Sequence, residues 1–166
     1  MTTRSDTTIR TATRDDADSI HAMILALART TDDEDRIASG PADLVRHGFA
    51  DEPSFHALIA ERGDRPVGLC VYFYSFSTWL GEPGVYVQDL YVAEPERGSG
   101  LGRRLLAATA ARGAREKRAT HLRLTVDADN AAAIRFYERV GMQRRTREAV
   151  FHVGGRTFRE LAGERR

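Results

Sequence analysis

A chain of 166 residues, 42% of them hydrophobic and 30% charged, can fill one sizeable core and has the make-up of an ordinary globular protein. Its 25 basic and 24 acidic residues leave a net charge of +1, which argues against nucleic acid or an anionic membrane as a partner. No apolar run reaches the roughly 18 residues of a membrane span, and Met1 to Asp6 lacks the apolar stretch of a secretion signal, so a cytoplasmic protein is expected.

Thr8 to Thr13 reads as a short strand, followed by a capping box from Thr13 and Asp16. Ala17, Ile20, Ile24 and Leu27 then recur at helical spacing. Asp32 to Asp35 is an acidic loop, and Gly40-Pro41 opens a second helix through Leu44, Val45 and Phe49. Phe55 to Glu61 and Val67 to Phe76 form a hairpin around Arg62-Gly-Asp-Arg-Pro. Cys70, the only cysteine, lies in the second arm as a small core residue, with no disulfide framework or thiolate metal cluster available. Five histidines, His21, His47, His56, His121 and His152, are too scattered for a metal site, and none is expected.

Val85 to Val92 is the next strand, and a helix follows with Leu101, Leu105 and Ala108 on one face. Basic residues from Arg103 to Arg123 read as the solvated face of that helix and its exit, since no aromatic residues interleave for base stacking. His121 to Val126 alternates as a strand. Asn130 caps a helix through Ala133, Phe136 and Val140, which Gly141 ends. Val150 to Val153 and Thr157 to Leu161, around Gly154-Gly155, read as a closing hairpin. The order predicts one mixed α/β domain over residues 7–162, with flexible termini at 1–6 and 163–166.

The segment Arg97-Gly-Ser-Gly-Leu-Gly turns a strand into a helix. Glycines admit a ligand close to the backbone, and the unpaired amides of a helix start form an anion site for phosphate or pyrophosphate. Arg97, Arg103 and Arg104 add positive charge. The turn lacks the Lys-Ser/Thr of a nucleotide P-loop, and taken alone it is also compatible with a plain flexible turn.

Arg97-Gly-Ser-Gly-Leu-Gly resembles the Arg/Gln-x-x-Gly-x-Gly/Ala signature of the GNAT superfamily of N-acetyltransferases. Asn130-Ala-Ala-Ala-Ile-Arg-Phe-Tyr-Glu-Arg-Val-Gly-Met resembles that superfamily's second cofactor helix, in the expected order. Ala42 to Glu61 and Tyr72 to Val92 further resemble the diamine (spermidine/spermine and thialysine) branch, so the likeness covers most of residues 8–160. It implies a GNAT fold: a central mixed, twisted sheet with splayed strands, flanked by helices, with CoA in the cleft. The implied reaction is direct acetyl transfer from acetyl-CoA to the primary amine of a small molecule. A homodimer is implied as well. A protein or peptide acetyltransferase and a non-catalytic acyl-CoA-binding module are the rival readings.

Roles follow from the same resemblance. The backbone of Leu90, Tyr91 and Val92 pairs with pantetheine, and an amide there stabilises the oxyanion. Arg97, Gly98, Ser99, Gly100, Leu101, Gly102 and Arg103 wrap the pyrophosphate. Asn130, Ala131, Ala132 and Ala133 line the cofactor further along, and Tyr137 protonates the departing thiolate unless it merely packs its helix. Two departures stand out. Gln88-Asp89 replaces the branch's Glu-Asp, and Gln88 cannot accept a proton. Strand alternation sets Gln88 with Tyr86 and Leu90 on one face and Asp89 with Val87 and Tyr91 on the other, leaving Asp89 open as base or as structural carboxylate. Thr30-Thr31 replaces a Tyr-Glu pair that holds the amine chain, so a polyamine is not expected as substrate. Asp32 to Asp35 attracts a cation or is simply solvated. Trp79 roofs the acceptor site or packs.

Overall fold

The computed structural model describes residues 7–164. Of the flexible termini expected at 1–6 and 163–166, residues 1–6 and 165–166 lie outside the described residues. Two compact units divide at Thr125/Val126.

The first unit holds five strands, β1 (Thr7–Thr11), β2 (His56–Arg62), β3 (Arg65–Ser77), β4 (Glu82–Val92) and β5 (His121–Leu124), in the spatial order β1-β2-β3-β4-β5. The first four are mutually antiparallel and β5 runs parallel to β4, which makes the mixed sheet expected. Helices α1 (Ala17–Arg29) and α2 (Pro41–Gly48) cover one face, and α3 (Leu101–Lys117) covers the other.

The capping box forms as read. Asp16 accepts from the Thr13 amide at 2.6 Å and from its hydroxyl at 3.0 Å. Ile20 and Met23 of α1 bury against Ile59, Leu69 and Val71, with Leu44 of α2 beside them. Each such side chain contributes roughly 1.5–3 kcal/mol by leaving water. On the opposite face α3 buries Leu101, Leu105, Leu106 and Thr109, while Ala108 is only half-buried. The stripe therefore lies one step round from the expected one. Gly113 is required there, because a Cβ would run into Val85 Cγ2.

Pairing of β5 with β4 covers only Gly84–Val87 against His121–Leu124. Beyond Val87, β4 continues with β3 on one edge and no described strand on the other. β5 itself ends at Leu124, so this edge of β4 is left open among the described residues.

The second unit contains α4 (Ala131–Val140) and α5 (Gly155–Leu161). Asn130 caps α4 by accepting from the Ala133 amide at 3.0 Å, and Gly141 ends it at a φ of 101°. The closing hairpin is not formed. Residues 150–153 have no regular structure, and Thr157 to Leu161 lies in α5. Gly154 acts as a helix N-cap rather than a hairpin turn, and Arg156 pairs with Glu160 one helical turn on at 2.6 Å. Helix-forming Arg, Glu and Leu outweigh the weak alternation of that segment.

Candidate functional site

The two arms of the sheet meet a β-bulge where β5 leaves β4. Tyr72 of β3 faces Val87, but the next residue back, Val71, faces Asp89, so Gln88 is the extra residue. A bulge breaks the period of two. The faces expected from alternation are thereby corrected. Asp89 sits opposite Val71 and Tyr91 opposite Leu69, both on the α1/α2 face with Tyr86, which stacks on Phe73 at 4.9 Å. Leu90 lies opposite Cys70 and shares the α3 face with Val87.

A cavity of about 380 Å³ opens on the α1/α2 side, lined by Ile24, Ile37, Ser39, Leu44, Phe55, Val71, Phe73, Gln88 and Asp89. The bulge thus brings both Gln88 and Asp89 to one cavity. Burial pushes the Asp89 carboxyl above its ordinary range. No described residue gives that carboxylate a hydrogen bond or an ion pair, so the reading of Asp89 as a structural cap or arginine partner finds no support.

The Gly-rich turn lies just past the C-terminal end of β4, ahead of α3. Gly98 and Gly100 have φ of 79° and 84°, conformations that disfavour any side chain. A Cβ on either would enter open space, so the turn is shaped as a shallow cradle. The first amides of α3 have no intrahelical acceptor and carry the positive end of the helix dipole. Arg103 is exposed beside them. Arg97 donates instead to the Val92 carbonyl at 3.1 Å, and Arg104 to the Thr7 carbonyl at 2.6 Å, so both brace the backbone. Ser99 donates to Glu96 O at 2.6 Å, and buried Glu96 pairs with Arg62 at 2.5 Å, anchoring the approach to the turn. A pyrophosphate fits these groups, and the open edge of Leu90, Tyr91 and Val92 continues from them.

Thr30 and Thr31 do not line the cavity. Their hydroxyls donate to the carbonyls of Leu27 and Ala28, finishing α1. In the acidic loop, Asp33 pairs with Arg36 at 2.8 Å and Glu34 with Arg29 at 2.6 Å, and each carboxyl is held below its ordinary range by that arginine. Trp79 stands 98% exposed beyond β3 and is no part of the cavity. Cys70 is buried, accepts from Thr109 at 3.2 Å, and has its thiol pushed up to about 12 by burial, the opposite of a nucleophile. In the second unit, Tyr137 is half-buried on α4, its ring 5.0 Å from Phe136 in a T-shaped pair, and Asn130 to Ala133 form the start of that helix. Sequence reasoning missed Ile37, Ser39, Phe55 and Phe73, whose only signal was that of core or loop residues.

A bulged strand with one open edge, a phosphate-shaped turn on the next helix and a carboxylate in the adjoining cavity define a CoA-dependent acyltransferase. Residues 21–142 match the acetyltransferase (GNAT) family, and the chain belongs to that family: it is an acetyl-CoA-dependent N-acetyltransferase. It is 32% identical over 167 residues to the thialysine N-ε-acetyltransferase of Bos taurus, covering 94% of this chain and 97% of that one. It is also 32% identical over 138 residues to the aminoalkylphosphonate N-acetyltransferase of Salmonella typhimurium, covering 80% and 82%. A solved aminoglycoside N-acetyltransferase in complex with CoA shares the fold, with a TM-score of 0.73, 16% identity and coverage of 94% and 99%. The thialysine enzyme lies in the branch the sequence resembles.

Proposed function

We propose that the enzyme acetylates a primary amine of a small molecule other than a polyamine, with Asp89 as the base and Tyr137 as the acid. The observation that carries this reading is the bulge, which turns Asp89 into the cavity beside the open edge of β4. Bound acetyl-CoA supplies the activated thioester carbonyl. Asp89 draws the proton from the incoming ammonium, directly or through one water, and its raised pKa favours the exchange. Gln88 orients the amine through its carbonyl oxygen. An amide of the open edge at Leu90 to Val92 donates to the carbonyl oxygen as that oxygen gains charge. The Gly98 to Arg103 turn holds the pyrophosphate, and on the resemblance alone the Asn130 to Ala133 helix start holds the cofactor further along and Tyr137 donates a proton to the leaving sulfur.

The family match runs from residue 21 to 142, across the division at Thr125/Val126, which supports residues 7–162 acting as one catalytic domain. No described helix is long and apolar enough to cross a membrane. A near-neutral net charge supports a small-molecule partner over nucleic acid or a membrane surface. We further propose that the enzyme works in the cytoplasm and, on resemblance to its branch, as a homodimer.

Thiol release from acetyl-CoA with a panel of primary amines and spermidine tests the reading. Wild type turns over a small amine, with spermidine poorest, and Tyr137→Phe lowers kcat roughly 10²-fold or less while leaving the KM for acetyl-CoA little changed. Equal kcat for the two proteins removes Tyr137 from the chemistry, and spermidine as best substrate overturns the exclusion of polyamines.

A further inference from the structure

We propose that the acceptor is a monoamine with an apolar body, its nitrogen at Asp89 and its carbon skeleton among Ile37, Leu44, Phe55 and Phe73. The proposal rests on the amine-acetylating reading above and specifies its substrate class. Four of the cavity's side chains are those aliphatic and aromatic groups, and among the described lining residues Asp89 alone is ionisable. One carboxylate can balance one ammonium. A second charge on the acceptor, whether ammonium, carboxylate or phosphonate, would enter an apolar wall with no opposite charge to meet it.

Two of the four acids in the neighbouring loop are already engaged. Glu34 and Asp33, on the loop just before Ile37, are already held by Arg29 and Arg36. The Thr30 and Thr31 hydroxyls are turned to backbone carbonyls. About 380 Å³ lies near the small end of ligand cavities, which suits an alkylamine of a few carbons or a single-ring arylalkylamine better than an extended triamine. The desolvation that lifts the Asp89 carboxyl has the same origin as the selectivity, an apolar wall on the amine's side.

The experiment is a ladder of kcat/KM over methylamine, ethylamine, propylamine, butylamine and phenethylamine, set against 1,4-diaminobutane, lysine and spermidine. Each methylene that enters the cavity should raise kcat/KM roughly 3- to 4-fold until the space is filled. Adding a second ammonium to the far carbon of butylamine, as 1,4-diaminobutane does, should cost at least about tenfold in kcat/KM. Ile37→Glu, at a half-buried loop position, should narrow or invert the butylamine to diaminobutane ratio, whereas Ile37→Ala lowers butylamine and leaves diaminobutane nearly unchanged. Thermal shifts by the same amines in the presence of CoA read binding without transfer. Absence of turnover with every amine overturns acetyl transfer. A flat ladder, or stronger stabilisation and turnover with diaminobutane than with butylamine, overturns the apolar acceptor while leaving acetyl transfer standing.

Discussion

Asp89 loses water on folding and gains no hydrogen bond or ion pair from a described residue, so its carboxyl rises above the ordinary carboxylate range. A raised acid favours the folded state only while it is protonated. Its contribution is fully present below the unfolded pKa of about 3.8 and is lost as pH climbs through the folded value. At neutral pH the charged group therefore destabilises the fold. Asp89→Asn should raise Tm at pH 7 and lower kcat/KM by roughly 10²–10⁴-fold, as loss of a general base does. The Tm gain should fade as the pH is brought down toward 4. Differential scanning over that range, paired with thiol-release kinetics, checks both signs. A variant that loses stability at pH 7 would show instead that the carboxylate is a structural acceptor.

Among the elements, the Gly-rich turn was legible in the sequence because its signal is local. Arg97 to Gly102 names a backbone shape, and the two glycines adopt it at φ of 79° and 84°. Asn130 was readable for the same reason, as a side chain that caps its own helix. The bulge was not readable. Which residue of β4 is extra depends on how β3 lies beside it, and alternation counted along β4 alone grouped Asp89 with Val87 and Leu90 with Tyr86, where the bulge sets Asp89 and Tyr91 with Tyr86 and leaves Leu90 with Val87. The cavity wall escaped too, since Ile37, Phe55 and Phe73 come together only in three dimensions and look like core residues one by one. The turn's own test is Gly100→Val. A Cβ there meets nothing within 4 Å, so the fold tolerates it at about 1–2 kcal/mol of backbone strain. The added side chain occupies the cradle instead. Acetyl-CoA should raise the Tm of wild type and leave this variant unmoved. An equal shift in both would remove the pyrophosphate from this turn.

At the scale of the five-stranded unit, the ends of the sheet are fastened by arginines rather than by further strands. Arg10 of the edge strand β1 donates to both oxygens of Asp16 at 2.8 Å and to both of Glu61 at 2.5 and 3.0 Å. One guanidinium thus joins β1, the entry to α1 and β2. Arg104 reaches Thr7 O from α3, and Arg62 reaches Glu96 ahead of the Gly-rich turn, so the same edge is tied to the cofactor side. Asp16 is only 12% exposed, and it also accepts from the Thr13 amide, which makes it the least replaceable member. Hydrogen bonds to Arg10 hold its carboxyl down at about 2 against an ordinary 3.8. A depressed acid contributes stability that is present above the unfolded pKa and lost as pH falls through the folded one. Asp16→Asn should therefore cost about 1–3 kcal/mol at pH 7, the range for a charged hydrogen bond left half-made. Urea unfolding of the two proteins should keep that gap constant from pH 7 to about pH 5 and close it between about pH 4 and pH 2, as the wild type protonates the same group. A gap that persists undiminished at pH 2 would mean that the geometry of the carboxamide, and not the lost charge, weakens the edge.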